Sequence, residues 1–224
     1  DEVFFFNLSN VNVLVWFERT QIGSVSVTNI LFVKMGNTFC SPSEKAPEFA
    51  TILYWTACTV SGIEICQDAW EGESRPAYDL ARRGVSVICN PTASHFAFGK
   101  AEIRKSLNLE GAKIISGAYL FANLLGNEAG RIIFDGDAYI AHQGSILAQT
   151  PRFSFQDFTL VSHEIMLEKR LDKGDDVVTF EIHLPETNSI KTSDVPVWEQ
   201  SETKKEEEFS RAVALGLFDY LRKS

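Results

Sequence analysis

Cys66 sits in Glu64-Ile-Cys-Gln-Asp-Ala-Trp70, where a thiol ends a short apolar run and a polar turn follows at once. That arrangement can hold a sulfur at the tip of a strand, facing a pocket instead of filling a core. A cysteine so placed can attack an amide carbon if a base takes its proton, donors hold the oxyanion and water releases the acyl group. The alternative is a buried structural thiol, the commoner fate of a cysteine after an apolar run. Cys40, Cys58 and Cys89 read as packing residues. His95 has no Asp partner in its local sequence, so it reads as a packing or surface residue and not as a base.

The elements that must position Cys66 follow from periodicity. Residues 3–6, 11–17 and 25–33 are strand-like, the last rich in β-branched side chains. Residues 36–47 are loop-like. Residues 59–66 form the strand that delivers the thiol, with Ile63 and Ile65 on one face. A short helix over 77–83 stops at Gly84. Residues 85–90 read as a buried strand, and 99–109 as an amphipathic helix with Ile103, Leu107 and Leu109 inward. A long apolar strand follows over 114–125. Residues 131–134 and 139–141 flank Asp135-Gly136, a hairpin signal, and 142–144 turn again into 146–148. Segments 160–167 and 177–184 complete the strands. The alternation predicts an α/β layered domain with both faces of a sheet partly covered. Residues 185–202 carry Pro, Thr, Asn and Ser and read as a linker. Thr203-Lys-Lys-Glu206 is a capping box opening a last helix, whose apolar stripe is Phe209, Val213, Leu217 and Leu221.

Composition narrows the class. The chain of 224 residues is long enough for one large domain or two small ones, with ordinary globular values of 45% hydrophobic and 23% charged residues. A net charge of −9 without a basic stripe argues against a nucleic-acid partner. No run of about 18 apolar residues and no signal peptide is present, so neither a membrane span nor secretion is expected. The cysteines lack CxxC spacing and disulfide density, which points to a reducing, cytoplasmic setting with no zinc, iron–sulfur or other metal site.

Gly62-Ile-Glu-Ile-Cys-Gln-Asp-Ala-Trp70, Leu80-Ala-Arg-Arg-Gly-Val85, and the segments 90–100, 119–136 and 151–155 together resemble the nitrilase superfamily. Within it they resemble the glutaminase domain of bacterial glutamine-dependent NAD synthetases. The resemblance implies a nitrilase-type α-β-β-α sandwich, four-layered on dimerisation and incomplete at its N-terminus. It divides the chain into a glutaminase domain over 1–184, with 1–61 poorly matched, a linker over 185–202, and the first helix of an ATP-dependent synthetase domain over 203–224.

The same resemblance assigns roles. Cys66 is the nucleophile. Lys34, ending Ile30-Leu-Phe-Val-Lys34, matches the lysine that holds charge near the thiol, against the alternative of a surface lysine closing a strand. The backbone N–H of Gln67 is the oxyanion donor. Ser94 and Lys100 match the glutamine-binding positions, where a hydroxyl and an ammonium suit the amino-acid end of the substrate. Asp68 and Trp70 shape the pocket floor. The family's general-base glutamate falls on Asn7, which cannot accept a proton at neutral pH, and Glu44 reads as a solvated loop carboxylate more than an accessory glutamate.

The expected activity is glutamine amide hydrolysis supplying ammonia for ATP-dependent amidation of nicotinic acid adenine dinucleotide to NAD. No cofactor is implied for the glutaminase part; ATP and Mg are implied for a synthetase domain. A homo-oligomer is expected by analogy. The rival activities are a stand-alone nitrilase-type amidase and an inert interaction module, the latter supported by Asn7.

Overall fold

The computed structural model describes residues 2–8, 11–22, 25–35, 53–56, 59–128, 131–156, 159–167, 177–178 and 195–223; side chains are described for 61–128, 131–156, 195–222 and residues 159, 161, 163, 165 and 167. Three strands, β1 (Glu2–Leu8), β2 (Val11–Ile22) and β3 (Val25–Met35), run antiparallel. A later strand, β12 (Leu160–Met166), joins the free edge of β3 and completes a four-stranded sheet.

A second sheet has seven strands. Its middle is parallel: β5 (Thr59–Ile63), β6 (Val87–Thr92) and β7 (Ala118–Asn123). Parallel neighbours need a crossover. Between β5 and β6 it includes a 3-10 turn (Cys66–Trp70) and α1 (Ala77–Arg82); between β6 and β7 it is α2 (Lys100–Ile114). On one side β4 (Leu53–Thr56) pairs with β5, and β13 (Val177–Val178) with β4. On the other side β10 (Ala138–His142) pairs with β7, and β11 (Ser145–Gln149) with β10. A separate two-stranded ribbon consists of β8 (Leu125–Glu128) and β9 (Ile132–Asp135). The C-terminal helix is α3 (Lys204–Lys223).

Alternation along the strands builds the layers. Val87, Cys89, Leu120, Ala122 and Ile140 face β12, meeting Val161 and Ile165 between the two sheets. Their neighbours Ile88, Tyr119, Phe121 and Tyr139 face the helices, meeting Leu80, Ala112 and Ile115. The described layers are therefore helix, sheet, sheet, as the α/β sandwich expectation required.

Three local expectations are corrected. The helix read as 99–109 continues to Ile114, and the strand begins only at Ala118. Between them Ser116 takes φ 48 and Gly117 lies so close to Ser86 that a Cβ would fall 2.1 Å from its carbonyl oxygen. A chain turning that sharply cannot be strand. Asp135-Gly136 is not a hairpin, because β9 pairs with β8 and β10 with β7; the pair hands the chain from the ribbon to the main sheet. The hairpin is the following one, where Gln143 (φ 46) and Gly144 (φ 82) supply two positive φ values.

The remaining correction concerns the face of α2, where Ile103 is exposed although Leu109 packs on the core as expected; the α3 stripe finds no partner surface among the described residues. α2 buries Ala101, Arg104, Asn108, Gly111 and Ala112, while Ile103 is half exposed. α3 buries Glu208, Ala212, Leu215 and Asp219, and its apolar stripe of Phe209, Val213, Leu217 and Leu221 faces outward. Both helices turn charge inward because buried partners of opposite charge await it. Part of the expected linker is also structured: Val197–Gln200 forms a 3-10 turn with Glu199 buried. Residues 179–194 lie outside the described ones.

Candidate active site

The carboxyl ends of β5, β6 and β7 lie side by side, and loops leaving adjacent parallel strands are where α/β sheets hold ligands. The first loop carries Cys66, the second Ser94, and the third strand ends on Asn123.

Glu64 fixes the first loop. Its N–H donates to Cys89 O at 3.0 Å, extending the ladder past Ile63. Its carboxylate is fully buried and accepts from Arg75 Nε (3.1 and 3.2 Å), Arg75 Nη2 (3.0 Å), the Ala77 N–H (2.7 Å) and the Tyr119 hydroxyl (2.6 Å). Arg75 donates further to Leu107 O at 2.9 Å. With both oxygens engaged, Glu64 is a structural anchor for the turn.

Two residues on, Cys66 takes φ 46, a left-handed conformation that is uncommon outside glycine. It opens the 3-10 turn, and Asp68 Oδ2 tightens that turn by accepting the Ile65 N–H at 2.7 Å. Burial raises the Asp68 carboxyl above its ordinary value against that hydrogen bond, with Glu64 and Glu71 adding to the rise. The backbone therefore throws the sulfur off the strand axis, and the free thiol is only partly buried. Cys89 stays within β6, and burial pushes its thiol up to about 12. It is a packing residue, as expected; Cys40 and Cys58 lie outside the described residues.

The second loop brings Ser94 and Lys100 to the same end of the sheet. Ser94 is buried, and its Oγ has no hydrogen-bond partner among the described residues. Gly99 takes φ 77, and Lys100 opens α2 directly after it. Lys100 Nζ lies 5.8 Å from the Trp70 ring centroid and 3.4 Å from His95 Nδ1. Burial lowers the Lys100 pKa, and Arg104 lowers it further; Cys66, Asp135 and Asp137 oppose the shift. Burial, Lys100 and Arg104 likewise lower the pKa of His95, so its ring stays neutral at pH 7 and can accept from the ammonium. Trp70 thus lies under Lys100, while Asp68 is engaged with the main chain of its own turn.

A buried charge network lies behind that loop, and the sequence reading passed over it. Arg104 donates to Asp135 (2.5 Å) and Asp137 (2.7 Å). Arg152 reaches Asp135 (3.4 Å), Glu199 (3.2 Å) and Glu208 (2.7 Å). Tyr139 donates its hydroxyl to Asp137 at 2.7 Å. Burial and the adjacent Asp137 push Asp135 up to about 6, while the two guanidiniums pull it down. The signal was Phe134-Asp-Gly-Asp137, where two acids flank a glycine that reads first as a turn.

The other predicted positions fall partly outside the description. Lys34 is in β3 opposite Val13, and Asn7 in β1 opposite Asn12, but their side chains are outside the described residues, as is all of Glu44. Gln67 follows Cys66 in the turn, with its side-chain Nε2 3.1 Å from Glu71. Among the described residues no cluster of three or more His, Cys, Asp or Glu is placed to hold a metal, and no helix is long and apolar enough to cross a membrane.

No protein-family model matches the chain. A glutamine-dependent NAD(+) synthetase from Mus musculus is 30% identical over 196 residues, covering 81% of this chain and 27% of its own length. The homologues of this chain are glutamine-dependent NAD synthetases. The crystal structure of one such NAD synthetase, from Cytophaga hutchinsonii, superposes with a TM-score of 0.54 at 26% identity, covering 94% of this chain and 34% of that one. The NAD synthetase from Acinetobacter baumannii, solved with ADP, superposes with a TM-score of 0.56 at 16% identity, a likeness of fold alone. The nitrilase-type fold and the resemblance to the NAD synthetases are borne out. The chain spans about a quarter of the length of the mouse NAD synthetase.

Proposed function

We propose that this chain is the glutaminase part of a glutamine-dependent NAD synthetase. Cys66 attacks the side-chain carboxamide of glutamine, and the tetrahedral oxyanion is held by the Gln67 N–H and the Lys34 ammonium. The leaving nitrogen takes a proton and departs as ammonia. Water then hydrolyses the γ-glutamyl thioester, giving glutamate and the free thiol. In a whole enzyme the ammonia amidates nicotinic acid adenine dinucleotide, activated with ATP and Mg, to NAD.

The single supporting observation is the left-handed turn at Cys66, which presents a free thiol beside the segment bearing Ser94 and Lys100. Ser94 and Lys100 take the α-carboxylate and polar end of glutamine. The thiol proton needs a base, a role that neither Asn7, whose amide has no basic lone pair, nor Glu64, whose oxygens are committed, fills. A reducing, cytoplasmic setting suits an unprotected nucleophilic thiol. α3 fits the first helix of a second domain: its apolar stripe faces away from the sandwich.

Glutamate release from glutamine tests the activity directly. Cys66→Ala should reduce release to background while the protein remains folded by circular dichroism. Undiminished release from Cys66→Ala would overturn the nucleophile assignment, and no release from the unaltered protein would favour an inert module.

A further inference from the structure

Asn123, the last residue of β7, is almost fully buried where three elements meet. Its Oδ1 accepts the N–H of Ser94 (2.9 Å) and of Leu124 (2.9 Å). Its Nδ2 faces the Ser94 carbonyl (2.9 Å), Asp135 Oδ1 (3.0 Å) and Asp137 Oδ1 (2.9 Å). Two N–H donors meet one end of the amide and three acceptors meet the other, so its orientation is fixed by its partners. The two bonds to Ser94 act as one rung of a ladder supplied by a side chain, in a segment without regular structure of its own. Nearby main-chain fastenings are Leu124 N to Thr92 O (3.0 Å) and Phe96 N to Ile133 O (2.7 Å). Neither holds the Ser94 peptide itself.

The Ser94 hydroxyl, buried and without a partner among the described residues, is the group this rung orients. The same two carboxylates serve the other side of the segment. Arg104 bonds both of them from α2, one turn beyond Lys100.

We infer that Asn123 is a positioning residue for the amino-acid end of the substrate: it fixes the Ser94 peptide, and through it the hydroxyl, without touching substrate. The inference rests on the glutamine-binding role proposed for Ser94 and Lys100. Aspartate cannot substitute, because it lacks the donor for the Ser94 carbonyl and would set a third carboxylate against Asp135 and Asp137. Serine is too short to bridge both Ser94 groups.

The test separates substrate positioning from nucleophile chemistry. The unaltered protein, Asn123→Ser and Asn123→Asp are each treated with 6-diazo-5-oxo-L-norleucine, a glutamine-shaped alkylating agent, and separately with iodoacetamide. Modification at Cys66 is followed by peptide mass spectrometry. Asn123→Ser should slow labelling by the glutamine-shaped reagent about tenfold, with iodoacetamide within about twofold of the unaltered protein. Asn123→Asp should slow it further. Equal slowing with both reagents, or slowing with neither, overturns the inference. An unaltered protein that reacts at Cys66 with iodoacetamide but not with the glutamine-shaped reagent removes the glutamine reading, and this inference with it. Should the variants not fold, amide hydrogen exchange on the unaltered protein decides. The Ser94 N–H should exchange as slowly as the amides of β7, and exchange at open-loop rates overturns the clamp.

Discussion

Glu64 and Arg75 form a closed pair beneath the Cys66 turn, whereas Asp135, Asp137, Arg104 and Arg152 form an open cluster behind the loop that bears Ser94. The closed pair is buried with donors and acceptors drawn from the turn and the adjacent elements of the sandwich, and the half-exposed Glu110 lies at its rim, 3.8 Å from Arg75. The open cluster has two acids and two bases, with Arg104 on α2, Asp135 ending β9, and Asp137 and Arg152 in loops, and continues through Arg152 to Glu199 and Glu208 in the C-terminal segment. One holds a single backbone turn in a strained conformation. The other ties α2 and the loops bearing Asp137 and Arg152 to the C-terminal segment that includes α3. Buried ion pairs are a poor source of net stability, yet breaking one leaves an uncompensated charge. The two clusters should therefore respond differently to loss of one member.

The closed pair should break hardest. Glu64→Gln leaves Arg75 buried without its counter-charge and should cost about 3–5 kcal/mol in chemical denaturation. Glu64→Gln combined with Arg75→Met should recover a large part of that loss, because the unpaired charge goes with it. A double variant as unstable as the single one would mean that the hydrogen bonds to Ala77 and Tyr119, and not the charge pair, carry the anchor.

The open cluster should yield by degrees. Arg152→Met removes the shared partner of Asp135, Glu199 and Glu208, but Arg104 still compensates Asp135. A loss of about 2–3 kcal/mol is expected, with α3 the region that gains the fastest hydrogen exchange. Uniform loosening of the whole domain would show that Arg152 belongs to the core and not to a fastening of the C-terminal segment.

Acid should act on the open cluster through Asp135. Asp135 has a folded pKa of about 6, above the 3.8 of an ordinary aspartate. A group raised on folding contributes stability below its unfolded pKa and loses it as pH rises through the folded one. Asp135 therefore makes stability fall between about pH 4 and pH 6 on the way up, and Asp135→Asn should flatten that part of the profile. A profile that keeps its slope in Asp135→Asn would show that Asp135 is not the group that titrates there.

Legibility in the sequence followed the same division. The Cys66 turn was readable because a thiol lies there at a change from apolar to polar residues inside a family-like motif, whereas Cys89 carried no such motif and read as a packing residue. The open cluster was not, because charge burial depends on partners from segments far apart in the chain. Arg104 meets Asp135 across 31 residues, and Arg152 meets Glu199 across 47. Periodicity scores charge as outward, so it placed Ile103 inward where α2 buries Arg104. It also read Asp135-Gly136 as a turn, since a glycine after an acid carries the same local signal whether the chain reverses or changes sheet.

The smallest effect sharpens what fastens α3. Lys204 Nζ reaches Glu102 Oε1 at 2.7 Å, linking the first turn of α3 to the first turn of α2. The hydrogen bond from Lys204 lowers the Glu102 carboxyl pKa. The pair looks like a bridge between α2 and the C-terminal helix. Both partners are substantially exposed, however, with 57% of the Glu102 side chain accessible. Water and salt screen such a pair, and ordering two long side chains costs entropy, so its net worth is at most about 0.5 kcal/mol. Lys204→Ala should therefore leave denaturation almost unchanged at ordinary salt, whereas Arg152→Met should not. A Lys204 variant that loosened α3 as much as Arg152→Met would place the fastening at the surface, and the contrast between closed and open clusters would no longer account for how the C-terminal helix is held.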